Sequence, residues 1–213
     1  MSERSLEMVA DPPLPENAIS TREWEKHDRV EVVDGEIIQM SPPSIKHVIL
    51  TRFVYNVLFE FLKENPLGEL WFDNTPYILD GAGREDRVRG SRIPDVSFVS
   101  KERYAAHVEQ YGTRMKYLHL APDLAVEIVS EHDRYSEIFQ KIADYLKHGT
   151  QLVWIIDGSN RAIRVHTPDN PNGHALHDTD TLTGDPVLKG WSMSVAAIID
   201  TSLSTNTDTQ NAG

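Results

Sequence analysis

The most informative apolar run in the chain is Pro122-Asp123-Leu124-Ala125-Val126-Glu127-Ile128-Val129-Ser130. Its length and its β-branched residues Val126, Ile128 and Val129 predict a strand buried on both faces in the middle of a sheet. Alternation puts Leu124, Val126 and Ile128 on one face and Ala125, Glu127 and Val129 on the other. Glu127 is then a carboxylate among hydrocarbon. Left ionised and unpaired there, it would cost on the order of several kcal/mol. A cation, a metal ion or a retained proton must compensate it.

The rest of the pattern fills in around this strand. Ser20-Thr-Arg-Glu23 has capping-box spacing and opens a short helix. Arg29 to Met40 reads as a hairpin about Asp34-Gly35, the dipeptide suited to a type I′ turn. Ser44 to Glu64 is a long helix whose apolar residues nearly encircle it, so it should pack deep against a sheet. Glu69 to Leu79 reads as one strand, Asp80 to Arg92 as a Gly- and Arg-rich loop, and Ile93 to Ser100 as a strand entered through Pro94. Lys101 to Gly112 is weakly helical. Asp133 to His148 is a second helix closed by Gly149. Leu152 to Asp157 and Ala162 to His166 are strands, Pro168 to Thr181 is polar loop, and Ser194 to Ile199 is a final strand or short helix. Residues 1–19 and 201–213 read as disordered tails around a single domain, 20–200. Helices and strands in this order mean an α/β (mixed α+β) fold, one mixed sheet flanked by helices.

Composition narrows the function classes. A chain of 213 residues, 39% hydrophobic and 25% charged, suits one soluble domain with a complete core. No stretch approaches the roughly 18 apolar residues a membrane span needs. The polar start does not read as a secretory signal. Without cysteine there is no disulfide or thiolate metal site, and cytoplasm is the expected location. The net charge of −12 argues against a protein that coats nucleic acid. It leaves room for local grip, because Gly81 to Lys116 holds eight basic residues against five acids. Arg84, Arg87, Arg89 and Arg92 are the candidate nucleic-acid contacts in that window, and a solvated loop is the alternative reading.

Asp95, just after Pro94, is a second carboxylate at a strand start. Successive strands of a sheet usually neighbour one another, so Asp95 and Glu127 can converge. Converged carboxylates repel unless a cation lies between them. Mg²⁺ suits such oxygens, with Mn²⁺ as a substitute and the backbone carbonyl of Ile128 as a third ligand. Lys141 falls at the edge of the second helix's apolar stripe (Ile138, Phe139, Ile142, Tyr145, Leu146), beside Tyr145. It either leans toward Glu127 or runs past the apolar edge into water. His47 either faces the site or serves the helix start, and Tyr145 is core with a polar tip or a partner of the site. No zinc-type His-Glu-x-x-His, dinucleotide or nucleotide-triphosphate motif is present.

Val33-Asp34-Gly35-Glu36, Ser41-Pro42-Pro43 with His47, Arg92-Ile93-Pro94-Asp95-Val96, Pro122 to Ser130, and Lys141 with Tyr145-Leu146, Gly149 and Leu152-Val153-Trp154 follow one another in a characteristic order. Together they resemble the Uma-type restriction-endonuclease family of the PD-(D/E)XK nuclease superfamily, over roughly Thr21 to Asp200. The resemblance implies a restriction-endonuclease-like core and metal-dependent phosphodiester cleavage. It implies Asp95 as the motif aspartate, Glu127 as the (D/E) residue, Lys141 as the lysine displaced from position 129, where valine stands, and Glu36 as an auxiliary acid. Glu131-His132 departs from the small residues more typical there. The expected function is a Mg²⁺-dependent endonuclease acting on DNA, with a homodimer as a further possibility. The rivals are an inactive nuclease-like binding module and a metal hydrolase of another substrate.

Overall fold

Hydrocarbon on both faces places Leu124–Ile128 at the middle of the molecule, with the other elements packed around it. The computed structural model describes residues 17–72, 74–81, 87–130 and 133–201. In chain order these form β1 (Ile19–Ser20), α1 (Thr21–Trp24), β2 (Val30–Val33), β3 (Glu36–Gln39), α2 (Ile45–Glu64), β4 (Gly68–Phe72) and β5 (Tyr77–Asp80). There follow β6 (Arg87–Val88), β7 (Gly90–Arg92), β8 (Val96–Ser100), α3 (Lys101–Tyr111), β9 (Leu124–Ile128), α4 (Tyr135–Lys147) and β10 (Leu152–Asp157). The chain closes with β11 (Ala162–Thr167), β12 (Asn170–Leu176), β13 (Thr181–Thr183), β14 (Ser192–Ser194) and α5 (Val195–Asp200).

Six strands in the order β12-β11-β10-β9-β8-β4 make one mixed sheet. Its β9–β10 pair is parallel and every other pair antiparallel. Parallel neighbours need a crossover, and α4 supplies it. Leu124, Val126 and Ile128 join Leu152, Trp154 and Ile156 in the main core, under Leu50, Val54, Leu58 and Leu62 of α2 and Ile198 and Ile199 of α5. On the opposite face Ala125, Val153 and Ile155 pack against Ile142 and Tyr145 of α4.

Local signals behave as their chemistry requires. Ser20 and Ser44 cap α1 and α2 by accepting from the Glu23 and His47 amides. Asp34 and Gly35 both take positive φ, the type I′ geometry that sets Val33 opposite Glu36. Other expectations are corrected. The 69–79 strand is two strands in different sheets, broken where Asn74 takes φ +70° ahead of Pro76. The Arg-rich loop contains β6 and β7, and the polar stretch after Pro168 contains β12, a sheet-edge strand polar because most of it faces water. The final segment, left open between strand and helix, ends β14 at Ser194 and is helix from Val195 to Asp200. The long helix buries one face, while Ile45 and Val48 are exposed, because a single sheet layer covers only one side. Phe139, assigned to the buried stripe of α4, is exposed as well. Ile19 already lies in a strand, so the folded part starts ahead of residue 20. The remaining tail positions, 1–16 and 202–213, lie outside the described residues.

Candidate active site at the ends of the central strands

Glu127 is buried, as its place in the pattern demands, and both of its oxygens have donors. Lys141 Nζ donates to Oε2 at 3.0 Å and Tyr145 Oη donates to Oε1 at 2.6 Å. Both come from α4, where residues four apart share a face. Burial pushes the Glu127 carboxyl up to about 7. Lys141 and Tyr145 pull against that shift, while the charges of Asp95 and Glu31 add to it. Lys141 is itself buried, which favours the neutral amine, but Glu127, Glu31 and Asp95 outweigh burial and hold it firmly protonated. Burial and the two neighbouring carboxylates push the Tyr145 hydroxyl well above its ordinary range, so it stays a donor.

Asp95 reaches the same place from the neighbouring strand. Val96 pairs with Val126, and one further step of that antiparallel register sets Asp95 across from Glu127. Ile128 N donates to Asp95 Oδ2 at 2.7 Å, and His47 Nε2 lies 2.8 Å from Oδ1. With the carboxylate as acceptor, Nε2 carries the shared proton. Burial opposes the charged imidazole, but the Asp95 hydrogen bond and charge prevail and raise its pKa. Ser44 caps α2 and thereby aims its first turn at the site. Beyond β9, Asp133 accepts from the Ser130 amide and hydroxyl at 2.8 and 2.9 Å. Glu127, Ile128, Val129, Asp133, Glu137, Ile138 and Lys141 line a pocket there.

The structure thus brings together Asp95, Glu127, Lys141, Ile128, Tyr145 and His47. Glu36 is not among them. It shares a face of the hairpin with Glu31 but sits beside the turn and is exposed. The hairpin acid at the cluster is Glu31, whose Oε1 lies 3.1 Å from Lys141 Nζ. Burial works against its charge, yet Lys141, Arg92 and the Ile93 amide lower its pKa. Sequence reasoning missed it, although the signal was there: Val30-Glu31-Val32-Val33 is a carboxylate between β-branched residues, as at Glu127. The expected arginine contacts are corrected too. Arg92 is buried and bonds Glu31 and Asp144, so it is not open to phosphate. Arg89 pairs with Asp34 and Asp80, both at 2.9 Å. Arg87 is exposed, whereas Arg84 and the Glu131-His132 departure lie outside the described residues.

The donor chemistry suits a hard divalent ion. Asp95 and Glu127 offer carboxylate oxygens, each with a lone pair left after its protein hydrogen bond. Burial raises the Glu127 pKa and the Asp95 charge adds to it, and a shared cation would offset both. The pocket lining carries three acids, Glu127, Asp133 and Glu137, against Lys141. Such a lining repels a phosphodiester unless cations neutralise it. Among the described residues, no three acids or histidines converge into a ready-made metal cluster.

The model of a family described as "Uma2: Putative restriction endonuclease" matches residues 20–196. The chain belongs to the Uma2 family. Among solved structures, it is similar to one from Anabaena variabilis described as "a putative nuclease belonging to DUF820". The two are 21% identical with a TM-score of 0.69, over 86% of this chain and 99% of that one. At that identity the likeness establishes a shared fold. No functionally curated protein matches the chain. Membership of Uma2 supports a nuclease-like function, and among the described residues no helix is long and apolar enough to cross a membrane.

Proposed function

We propose that this Uma2 protein is a Mg²⁺-dependent endonuclease that hydrolyses phosphodiester bonds of DNA, with Asp95, Glu127 and Lys141 as its catalytic core. The observation that carries the reading is the buried Glu127–Lys141 pair at 3.0 Å, with Asp95 set across from Glu127 on the neighbouring strand. Asp95 and Glu127, with the Ile128 carbonyl, would hold Mg²⁺ or Mn²⁺. When bound, the ion supplies polarisation of the scissile phosphate and acidification of a water. The protein's own groups prepare the rest. Lys141 keeps its proton and presents fixed positive charge where negative charge develops on phosphoryl oxygen. His47 and the Ile128 amide hold the Asp95 carboxylate in one orientation. Tyr145 does the same for Glu127, leaving its second oxygen toward Lys141.

The test is nicking of supercoiled plasmid with and without Mg²⁺. The wild type should nick only with the ion, and Glu127→Gln should reduce nicking to background while remaining folded. A wild type inert with both Mg²⁺ and Mn²⁺ would refute the reading. One observation favours a second reading, a nuclease-like fold that binds without turnover. All four carboxylate oxygens of Asp95 and Glu127 already accept from protein donors. Under that reading DNA binding persists with the ion while no strand is cut.

A further inference from the structure

Lys141 has a second anchor that the catalytic core does not account for. A lysine ammonium on a four-carbon stem is mobile unless several partners fix it. Glu127 supplies one partner, but a Glu127 oxygen given to a metal ion or to substrate would loosen that bond. Glu31 supplies the other, 3.1 Å from Nζ, from a hairpin outside the central sheet. Glu31 is in turn immobilised. Arg92 Nη1 donates to its Oε2 at 2.8 Å and the Ile93 amide donates to its Oε1 at 3.1 Å. The other edge of the Arg92 guanidinium bonds Asp144, on α4 and three residues beyond Lys141. The contacts close a ring: Lys141 to Glu31, Glu31 to Arg92, Arg92 to Asp144, and back along α4 to Lys141. Glu31 and Arg92 are each almost fully buried, so water screens this ring little. The ring also touches the second acid, because the Ile93 amide held by Glu31 lies two residues before Asp95.

We infer that Glu31 is a positioning residue, which sets the place of the Lys141 ammonium and of the Ile93-Pro94-Asp95 segment for the reaction. The inference rests on the nuclease reading for its catalytic consequence, but its structural content stands apart from turnover. Glu31→Gln is the informative variant, since the amide oxygen can still accept from Ile93 while the charge facing Lys141 and Arg92 is gone. Two readouts are taken on the folded protein. One is the side-chain ammonium NMR signal of Lys141, assigned by its loss in Lys141→Arg. The other is kcat and KM on a plasmid with Mg²⁺.

The wild type should show a Lys141 ammonium signal protected from exchange, and Glu31→Gln should broaden or lose it. In the same variant kcat should fall about 10- to 100-fold, the usual scale for partners that orient site residues, with KM unchanged. An intact ammonium signal in Glu31→Gln overturns the inference, as does an effect confined to KM. If the wild type proves inert, the nuclease reading falls and the NMR signal alone decides the positioning claim. Should Glu31→Gln not fold, Arg92→Lys serves in its place. It keeps the charge but loses the planar fork, and it should weaken the same signal and lower the same kcat.

Discussion

The two faces of β9 are built from alternate residues of one five-residue strand, yet they are organised by different physics. Leu124, Val126 and Ile128 face a broad hydrocarbon layer with many interchangeable neighbours from α2, α5 and the adjacent strands. Ala125 and Glu127 face α4, where a few charged groups must each find a particular partner. Dispersion and burial are non-directional, so the first face tolerates repacking. Buried charge is not tolerant, because one lost partner leaves another group unsatisfied. The apolar face holds the sheet together, and the polar face uses that rigidity to hold two acids and a lysine close.

Changes on each face should therefore separate stability from activity. Leu58→Ala, on α2 and wholly buried against the apolar face, should cost about 2–5 kcal/mol in a urea melt. Activity per folded molecule should be unaltered, and a proportionate loss of kcat would erase the distinction. Tyr145→Phe, on the other face, removes the 2.6 Å hydrogen bond to Glu127 at a cost of about 1.5–3 kcal/mol. It should also raise the Glu127 pKa above about 7, read by carboxyl ¹³C NMR. No shift would mean that the hydroxyl does not hold that oxygen. The same face also predicts a pH dependence without metal ions. The folded-state pKa of Glu127, about 7, lies above its ordinary 4.5. Its neutral form therefore contributes stability that is fully present below pH 4.5 and lost as pH rises through about 7. Wild type minus Glu127→Gln stability should fall across that window and flatten above it, whereas a flat difference throughout would contradict the burial of this carboxyl.

Legibility followed the range of the interactions. Glu127 and the βαβ unit around it were readable because strand alternation and the helix repeat act within a few residues. The pairing of Lys141 with Glu127 lay at the limit, since helix geometry alone left the lysine at the edge of a stripe. Glu36 and Glu31 mark where local reading stopped. Both lie on a hairpin, and the pattern says that Val30 and Val32 go inward together. Nothing local says that the opposite face is also covered, by Arg92 and Lys141 from 61 and 110 residues away. The same holds for the arginines, which as a basic run suggested a phosphate contact. Arg92 and Arg89 are instead buried or half-buried struts, because acids from β2, β5 and α4 meet them.

By itself the sequence determined the strand that carries Glu127, the face on which it lies, the Asp34-Gly35 turn and the cap that starts α1. Those depend on backbone periodicity and on side chains bonding to nearby amides. Only the tertiary structure decided that His47 meets Asp95, that Glu31 rather than Glu36 reaches Lys141, and that Arg92 closes the ring through Asp144. Those depend on how separately formed elements dock, and a charge buried by docking carries no mark in its own neighbourhood beyond the apolar residues on either side of it.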